Sequence, residues 1–251
     1  MPSPSQMIKG VDYDERFFDS VIKKAGGSRL TTLFTPPPGI QSVDYLIEGF
    51  AVELKILTTD PLDAIERQKR LAEFFSVEFP NGPLWVTPTK RSATLVGQLA
   101  KVYWERYLGK PTQDRLDSAA DQIEATRSFV PGSWRGAVII VNAAGFSLDW
   151  RSFTHLANHY QQRFAAIDAV FAVNGVPALA GNNELQIHFA TIAKDGHRLE
   201  ADALGLKLDA AIRNEIETRT GRALRVVEVN PNEPATKTTF QFTENGIRFK
   251  R

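Results

Sequence analysis

The stretch Ser42-Val-Asp-Tyr-Leu-Ile-Glu-Gly-Phe-Ala-Val-Glu-Leu-Lys-Ile-Leu57 constrains this chain most. Two apolar runs of period two meet in it: Val43, Tyr45 and Ile47, then Phe50, Val52, Leu54 and Ile56. Between them, Glu48-Gly49 suits a two-residue turn, because glycine adopts positive φ without a Cβ penalty. The runs are therefore expected to form one hairpin with a single continuous apolar face. A tight turn also fixes the register, since paired residue numbers then sum to 97. Ile47 faces Phe50, Tyr45 faces Val52, and Asp44 faces Glu53. Lys55 follows Glu53 by two and points to the same side.

Carboxylates opposed on a strand ladder repel each other unless something cationic lies between them. Hard divalent cations take oxygen ligands, and Mg²⁺ is commonly held by one or two carboxylates with water and substrate phosphate. An ammonium beside them can orient a water or stabilise charge on a phosphate. The pattern thus points to a one- or two-metal site for phosphodiester hydrolysis. The plain alternative is an edge hairpin whose Glu53 and Lys55 only solubilise one face.

Asp44, followed by Glu53-Leu54-Lys55 at the end of the next apolar strand, resembles the Asp…(Asp/Glu)-x-Lys signature of the PD-(D/E)XK nuclease superfamily. Val43 stands where the family name has Pro. The resemblance implies an α/β fold with a restriction-endonuclease-like mixed central sheet flanked by helices. It implies Mg²⁺ or Mn²⁺ held by Asp44 and Glu53, with the Leu54 carbonyl as a backbone ligand and Lys55 positioning the attacking water. It also implies an acid on the N-terminal helix, for which Glu15 is best placed, ahead of Asp14 and Asp19. On the helix after the Lys strand, Gln68 is the position carried over, with Lys69 and Arg70 near phosphate. The substrate implied is nucleic acid, DNA ahead of RNA. Because degenerate members exist, a catalytically inactive nucleic-acid-binding or protein-interaction module is the alternative. Both helical assignments compete with local readings: Glu15 as a reciprocal cap with Asp12, and a solvated face with Glu66 paired to Arg70.

At 251 residues and 43% hydrophobic, the chain can bury a full core as one large domain or a domain with an appendage. It has no cysteine, which excludes disulfides, thiolate metal sites and a cysteine nucleophile. No run approaches a membrane span, and no charged-then-apolar leader is visible, so a soluble, cytoplasmic protein is expected. A net charge of +1 argues against a blanket nucleic-acid coat and allows a local basic groove. Nucleotide-cradling glycine loops, the serine-hydrolase elbow and kinase signatures are all absent.

A capping-box spacing from Asp12 to Glu15 predicts a helix to about Ala25, and 29–35 reads as a strand. Asp60-Pro61 starts a helix over 62–78. Helical patterns at 92–107 and 112–127 look like an insertion, at about 89–128, into a nuclease core spanning 1–175. Lys90, Arg91, Lys101, Arg106 and Lys110 flank Tyr103, Trp104 and Tyr107 there, either a stacking surface for nucleic acid or core aromatics with a wet rim. The continuous apolar run 136–142 predicts a strand buried on both faces. A helix over 149–164, carrying His155 and His159 at i,i+4, then leads to a strand over 167–173, in the order of a right-handed parallel crossover. With no third ligand evident, that His pair reads as part of a core helix rather than a metal site. Residues 176–251 form a C-terminal α+β extension: a strand at 184–190, a helix over 204–220, a strand at 222–229, and a hairpin joined across Glu244-Asn-Gly246. It could complete the sheet, form a homodimer contact or hold a recognition surface.

Overall fold

The structure is a computed structural model, and it describes residues 11–59, 65–66, 69–70, 73, 85–86, 109–143, 150–177, 185–221, 241–244 and 247–250. Its described elements, in chain order, begin with helix α1 (Glu15–Lys24), strand β1 (Ser28–Arg29), a single helical turn α2 (Leu30–Leu33), and strands β2 (Tyr45–Ile47), β3 (Phe50–Leu57) and β4 (Trp85–Val86). Helix α3 (Gly109–Arg127), strand β5 (Arg135–Asn142), helix α4 (Trp150–Gln161), strands β6 (Ala169–Pro177) and β7 (Leu185–Ala193), helix α5 (Arg198–Thr220), and strands β8 (Gln241–Glu244) and β9 (Ile247–Lys250) follow.

Six strands form one mixed sheet in the order β1-β2-β3-β5-β6-β7, which makes the protein an α/β fold. β1 pairs antiparallel with β2 and β2 with β3, while β3, β5 and β6 are parallel, and β7 closes the far edge antiparallel to β6. The hairpin has the expected register, with Tyr45 opposite Val52 and Ile47 opposite Phe50. Its turn takes positive φ at both central residues, 48° at Glu48 and 80° at Gly49, the combination a twisted two-residue hairpin turn requires.

Alternation along the strands sorts the core into two layers. Tyr45, Ile47, Phe50, Val52 and Leu54 join Ala137, Ile139, Val141, Phe171 and Val173 on one face, covered by Phe17, Phe18, Val21 and Ile22 of α1 and Leu204, Leu208, Ile212 and Ile216 of α5. Leu46, Ala51, Val138, Ile140, Val170 and Ala172 form the other, covered by Leu116, Ala119, Ala120 and Ile123 of α3 and Phe153, Leu156 and Tyr160 of α4. Val43 belongs to this second layer and departs from the single apolar face expected of the hairpin. The reason is that β2 starts at Tyr45, and the backbone N–H of Val43 turns to Thr126 Oγ1 of α3 at 2.9 Å.

Two local expectations are corrected. The cap of α1 is Asp14, whose carboxylate accepts from the Phe17 amide at 2.8 Å, not Asp12. Glu15 is thereby the first helical residue, out of place for the reciprocal half of a capping box. The strand expected over 29–35 ends at Arg29, where Thr32 Oγ1 donates to the Arg29 carbonyl at 2.6 Å and a helical turn takes over. Helix α3, which falls in the expected insertion, precedes β5, the parallel neighbour of β3, and packs directly on the sheet. The remaining part of the expected insertion, 89–108, lies outside the described residues, as do the basic and aromatic side chains flanking it up to Tyr107 and the strand expected over 222–229.

Residues 185–221 contribute β7 to the main sheet and α5 to its core. A polar cluster fastens α5 to α1: buried Glu215 accepts from Ser20 Oγ at 2.6 Å and pairs with Lys24 at 3.0 Å and Arg219 at 2.7 Å. Strands β8 and β9 pair as the expected hairpin, Glu244 opposite Ile247, and β9 lies parallel to β4 in a separate small sheet. No helix among the described residues is long and apolar enough to cross a membrane.

Candidate active site

The site forms where β2 has just begun and β3 continues past it. Beyond the Tyr45–Val52 pair, β3 has no backbone partner on the β2 side, and the Leu54 amide donates instead to Asp44 Oδ2 at 3.0 Å. In an extended strand the N–H and C=O of one residue point to the same edge, so the Leu54 carbonyl also faces the Asp44 side. Glu53 and Lys55 alternate with Leu54 and project toward α3. Glu53 is 3% exposed, and Lys55 Nζ donates to its Oε1 at 2.7 Å. The other carboxylate oxygen, Oε2, is buried and receives no hydrogen bond from an N–H or hydroxyl donor, and the carboxyl lies within hydrogen-bond reach of the Asp44 carboxyl.

Helix α3 holds this arrangement in place. Gln122 Oε1 accepts from Lys55 Nζ at 2.5 Å, and Gln122 Nε2 donates to the Ser42 carbonyl at 3.2 Å. One turn on, Thr126 Oγ1 donates to the Gln122 carbonyl at 2.8 Å and accepts from the Val43 amide. Residues 42 and 43 are thus tied to α3, and Asp44 emerges at a fixed distance from β3. Neither Gln122 nor Thr126 was singled out by sequence, because their helix read as an insertion. The available signal was their place on the last helical pattern before the buried strand 135–142.

The electrostatics follow from burial. Burial pushes the Glu53 carboxyl up to about 7, the negative charge of Asp44 adds to this, and Lys55 opposes it. Asp44 is also raised, first by burial, while the Leu54 N–H and the Lys55 charge pull it down. The two acids are close enough to titrate as a coupled pair.

Asp44, Glu53, Leu54 and Lys55 lie together, but Asp44 is reached through its side chain and the Leu54 amide and not as the expected ladder partner of Glu53, because β2 starts at Tyr45. Glu15 is not brought in with them: it is exposed and bonded to Arg29 Nη2 at 3.2 Å, although its charge is felt at Asp44. Asp19 pairs with Arg29 at 2.6 Å and accepts from the Tyr45 hydroxyl at 2.9 Å, and Asp14 is spent as the cap. Gln68 lies outside the described residues. Near it Lys69 pairs with Glu66 at 3.5 Å, at i,i+3 rather than the expected Glu66–Arg70 spacing. His159 packs edge-on against Tyr160 and contacts Arg163 Nη2 at 2.9 Å. Among the described residues no group of three or more His, Asp or Glu is arranged to hold a metal ion. In comparisons with known proteins, no family model, no curated protein and no solved structure matches this chain.

Proposed function

We propose that this protein is a Mg²⁺-dependent nuclease, with Mn²⁺ as a substitute, that hydrolyses phosphodiester bonds on a restriction-endonuclease-like fold. The observation that carries the reading is Glu53: a buried carboxyl within reach of the Asp44 carboxyl, with Oε1 on Lys55 and Oε2 receiving no N–H or hydroxyl donor. Leaving such an oxygen unsatisfied costs on the order of 1–3 kcal/mol, more for a charge, and an opposed acid adds repulsion. A divalent cation relieves both.

Asp44 and Glu53 Oε2 would hold the ion, with the Leu54 carbonyl on the same edge. With two carboxylates in the cluster, water and substrate phosphate fill the other positions, as is usual for Mg²⁺. The ion, when bound, supplies Lewis-acid activation of the phosphate and lowers the pKa of water. Lys55, clamped between Glu53 and Gln122, has one direction left in which to donate. There it orients the attacking water or meets charge on the phosphate. The order of elements supports the same reading: an N-terminal helix, an antiparallel meander bearing the acids, and a helix leading to a parallel strand. DNA is proposed ahead of RNA on the resemblance alone.

A net charge of only +1 supports a second reading, a nuclease-like fold that binds nucleic acid or protein without cleaving. Two measurements separate them. The nuclease reading expects Mg²⁺-dependent cleavage of plasmid or single-stranded DNA that Asp44→Ala and Lys55→Ala abolish. Calorimetric titration with Mg²⁺ or Mn²⁺ that shows no binding, alongside intact nucleic-acid binding, selects the second.

A further inference from the structure

Helix α5 presents its core face through Ala201, Leu204, Leu208, Ile212 and Ile216, but it has a second apolar stripe. Leu199 is 83% exposed and Leu206 73%, and both stand among the largest exposed apolar side chains of the described residues. Ala203 and Ala210 are exposed between and after them. The spacing 199-203-206-210 alternates four and three, the repeat of a coiled-coil seam, with Leu at d and Ala at a. It lies opposite the core stripe, so folding of the single chain leaves it in water. Scattered apolar residues on a surface need no explanation, whereas two leucines in heptad register on one rigid 23-residue helix form a patch.

We propose that this stripe is a self-association surface, and that its occupant is α5 of a second copy of this chain, packed in parallel about a two-fold axis. The flanking charges choose the partner and its direction. Asp202 occupies a g position and Lys207 an e position. Each is about half exposed, with side-chain exposures of 49% and 53%. In a parallel pair, g meets the partner's e five residues on, so Asp202 meets Lys207 of the other chain, twice by symmetry. Antiparallel pairing that sets Leu over Ala would place Asp202 beside Asp209 of the other copy on one side of the seam and Glu200 beside Lys207 on the other, so it sets a repulsion against each attraction, whereas the parallel pair meets Asp202 with Lys207 alone. Within its own chain Lys207 pairs with Glu48 of the hairpin turn and Asp202 with Arg198 at 3.6 Å, so the dimer would join two exposed ion pairs into a four-membered network rather than break either. Arg213 and Glu217 occupy the next d and a positions and end the seam. Two heptads bury less than the roughly 800 Å² per partner of a standard interface, so association is expected in the micromolar range. This inference is independent of the chemistry proposed above.

The test is sedimentation equilibrium of the full chain from about 1 to 300 µM, a range that brackets a micromolar Kd. Wild type is expected to dimerise, and Leu206→Glu, a change at an exposed position, to weaken dimerisation about tenfold or more. Because the chain has no cysteine, Leu206→Cys is expected to form a disulfide-linked dimer on mild oxidation, since d faces d in a parallel pair. Glu124→Cys, exposed on α3 across the sheet, is not. A chain that stays monomeric throughout, or a dimer that Leu206→Glu leaves intact, overturns the proposal. So does a Leu206→Cys variant no better cross-linked than Glu124→Cys.

Discussion

Gln122 Oε1 takes a proton donor of Lys55 at 2.5 Å from a helix 67 residues further along the chain, and so fixes where the lysine's remaining donors aim. Gln122→Leu removes that acceptor and the hydrogen bond to Ser42, but keeps the side chain's bulk. The expected outcome is cleavage reduced about 10- to 100-fold with substrate affinity little changed, the pattern for losing a group that orients another. Measuring kcat and KM separately on a plasmid substrate checks it. A loss confined to KM counts against a positioning role.

Glu53 makes stability depend on pH in a direction opposite to that of a salt-bridged surface acid. Its carboxyl moves from an ordinary 4.5 to about 7 in the folded protein, so between these values the folded state holds more protons than the unfolded one. Stability must therefore fall as pH rises through that window and level off above it, by about 3 kcal/mol in total without metal. Asp44, also raised, acts in the same sense. Thermal melts from pH 4.5 to 8 should show a falling Tm. Saturating Mg²⁺ should restore it at the upper end, and Glu53→Gln should flatten the slope. A Tm that climbs across this range would contradict the buried-acid account.

The same charge logic separates Asp44 from Lys55. Asp44→Asn keeps an oxygen for the Leu54 amide, so the expected loss is metal affinity with the fold intact. Lys55→Ala leaves Glu53 Oε1 without its donor and the buried pair without its counter-charge. It should weaken folding at neutral pH by about 1–3 kcal/mol as well as abolish cleavage. Chemical denaturation of the two variants side by side, with and without Mg²⁺, distinguishes these outcomes.

What could be read from sequence follows the range of the contacts involved. The hairpin register depends on a period of two and on Glu48-Gly49, all within 16 residues, and it holds from Tyr45–Val52 to Ile47–Phe50; Asp44 lies just outside β2 and meets β3 through its carboxylate and the Leu54 amide, not as a ladder partner of Glu53. The helix cap required choosing between Asp12 and Asp14. That choice is made by burial of Tyr13, Phe17 and Phe18 against the sheet, which local spacing does not report. Gln122 and Thr126 were invisible for a topological reason. Only once β5 is seen to lie parallel to β3 does the helix between them become the one that roofs the acids. Glu15, assigned by resemblance, was claimed by Arg29, a competing partner 14 residues away.

Glu48 adopts φ 48°, a left-handed conformation that costs a residue with a Cβ about 1 kcal/mol and that asparagine tolerates better. Its compensating ion pair with Lys207 is largely exposed and therefore weak. Glu48→Asn is expected to stabilise the chain by about 0.5 kcal/mol, visible as a higher denaturant midpoint with an unchanged slope.

Gly136 shows the opposite sensitivity. It begins the buried run of β5, where its amide donates to Asp168 Oδ2 at 2.8 Å and its carbonyl accepts from the Asp168 amide at 2.7 Å. These bonds draw the segment before β6 over its Cα, so that a Cβ there would fall well inside contact with the Ala166 carbonyl oxygen and close to Ile123 of α3. Because the obstacle is backbone, it cannot swing aside as a side chain would. Gly136→Ala should therefore cost about 3 kcal/mol or more, enough to lower the yield of folded protein. Gly26→Ala, with open space around the Cβ but φ 89°, should cost only the backbone penalty, about 1 kcal/mol. Equilibrium denaturation of both variants decides the matter. Equal and small losses would mean that β5 can move away from the 164–168 segment, and that the sheet beneath Glu53 and Lys55 is less rigid than the site requires.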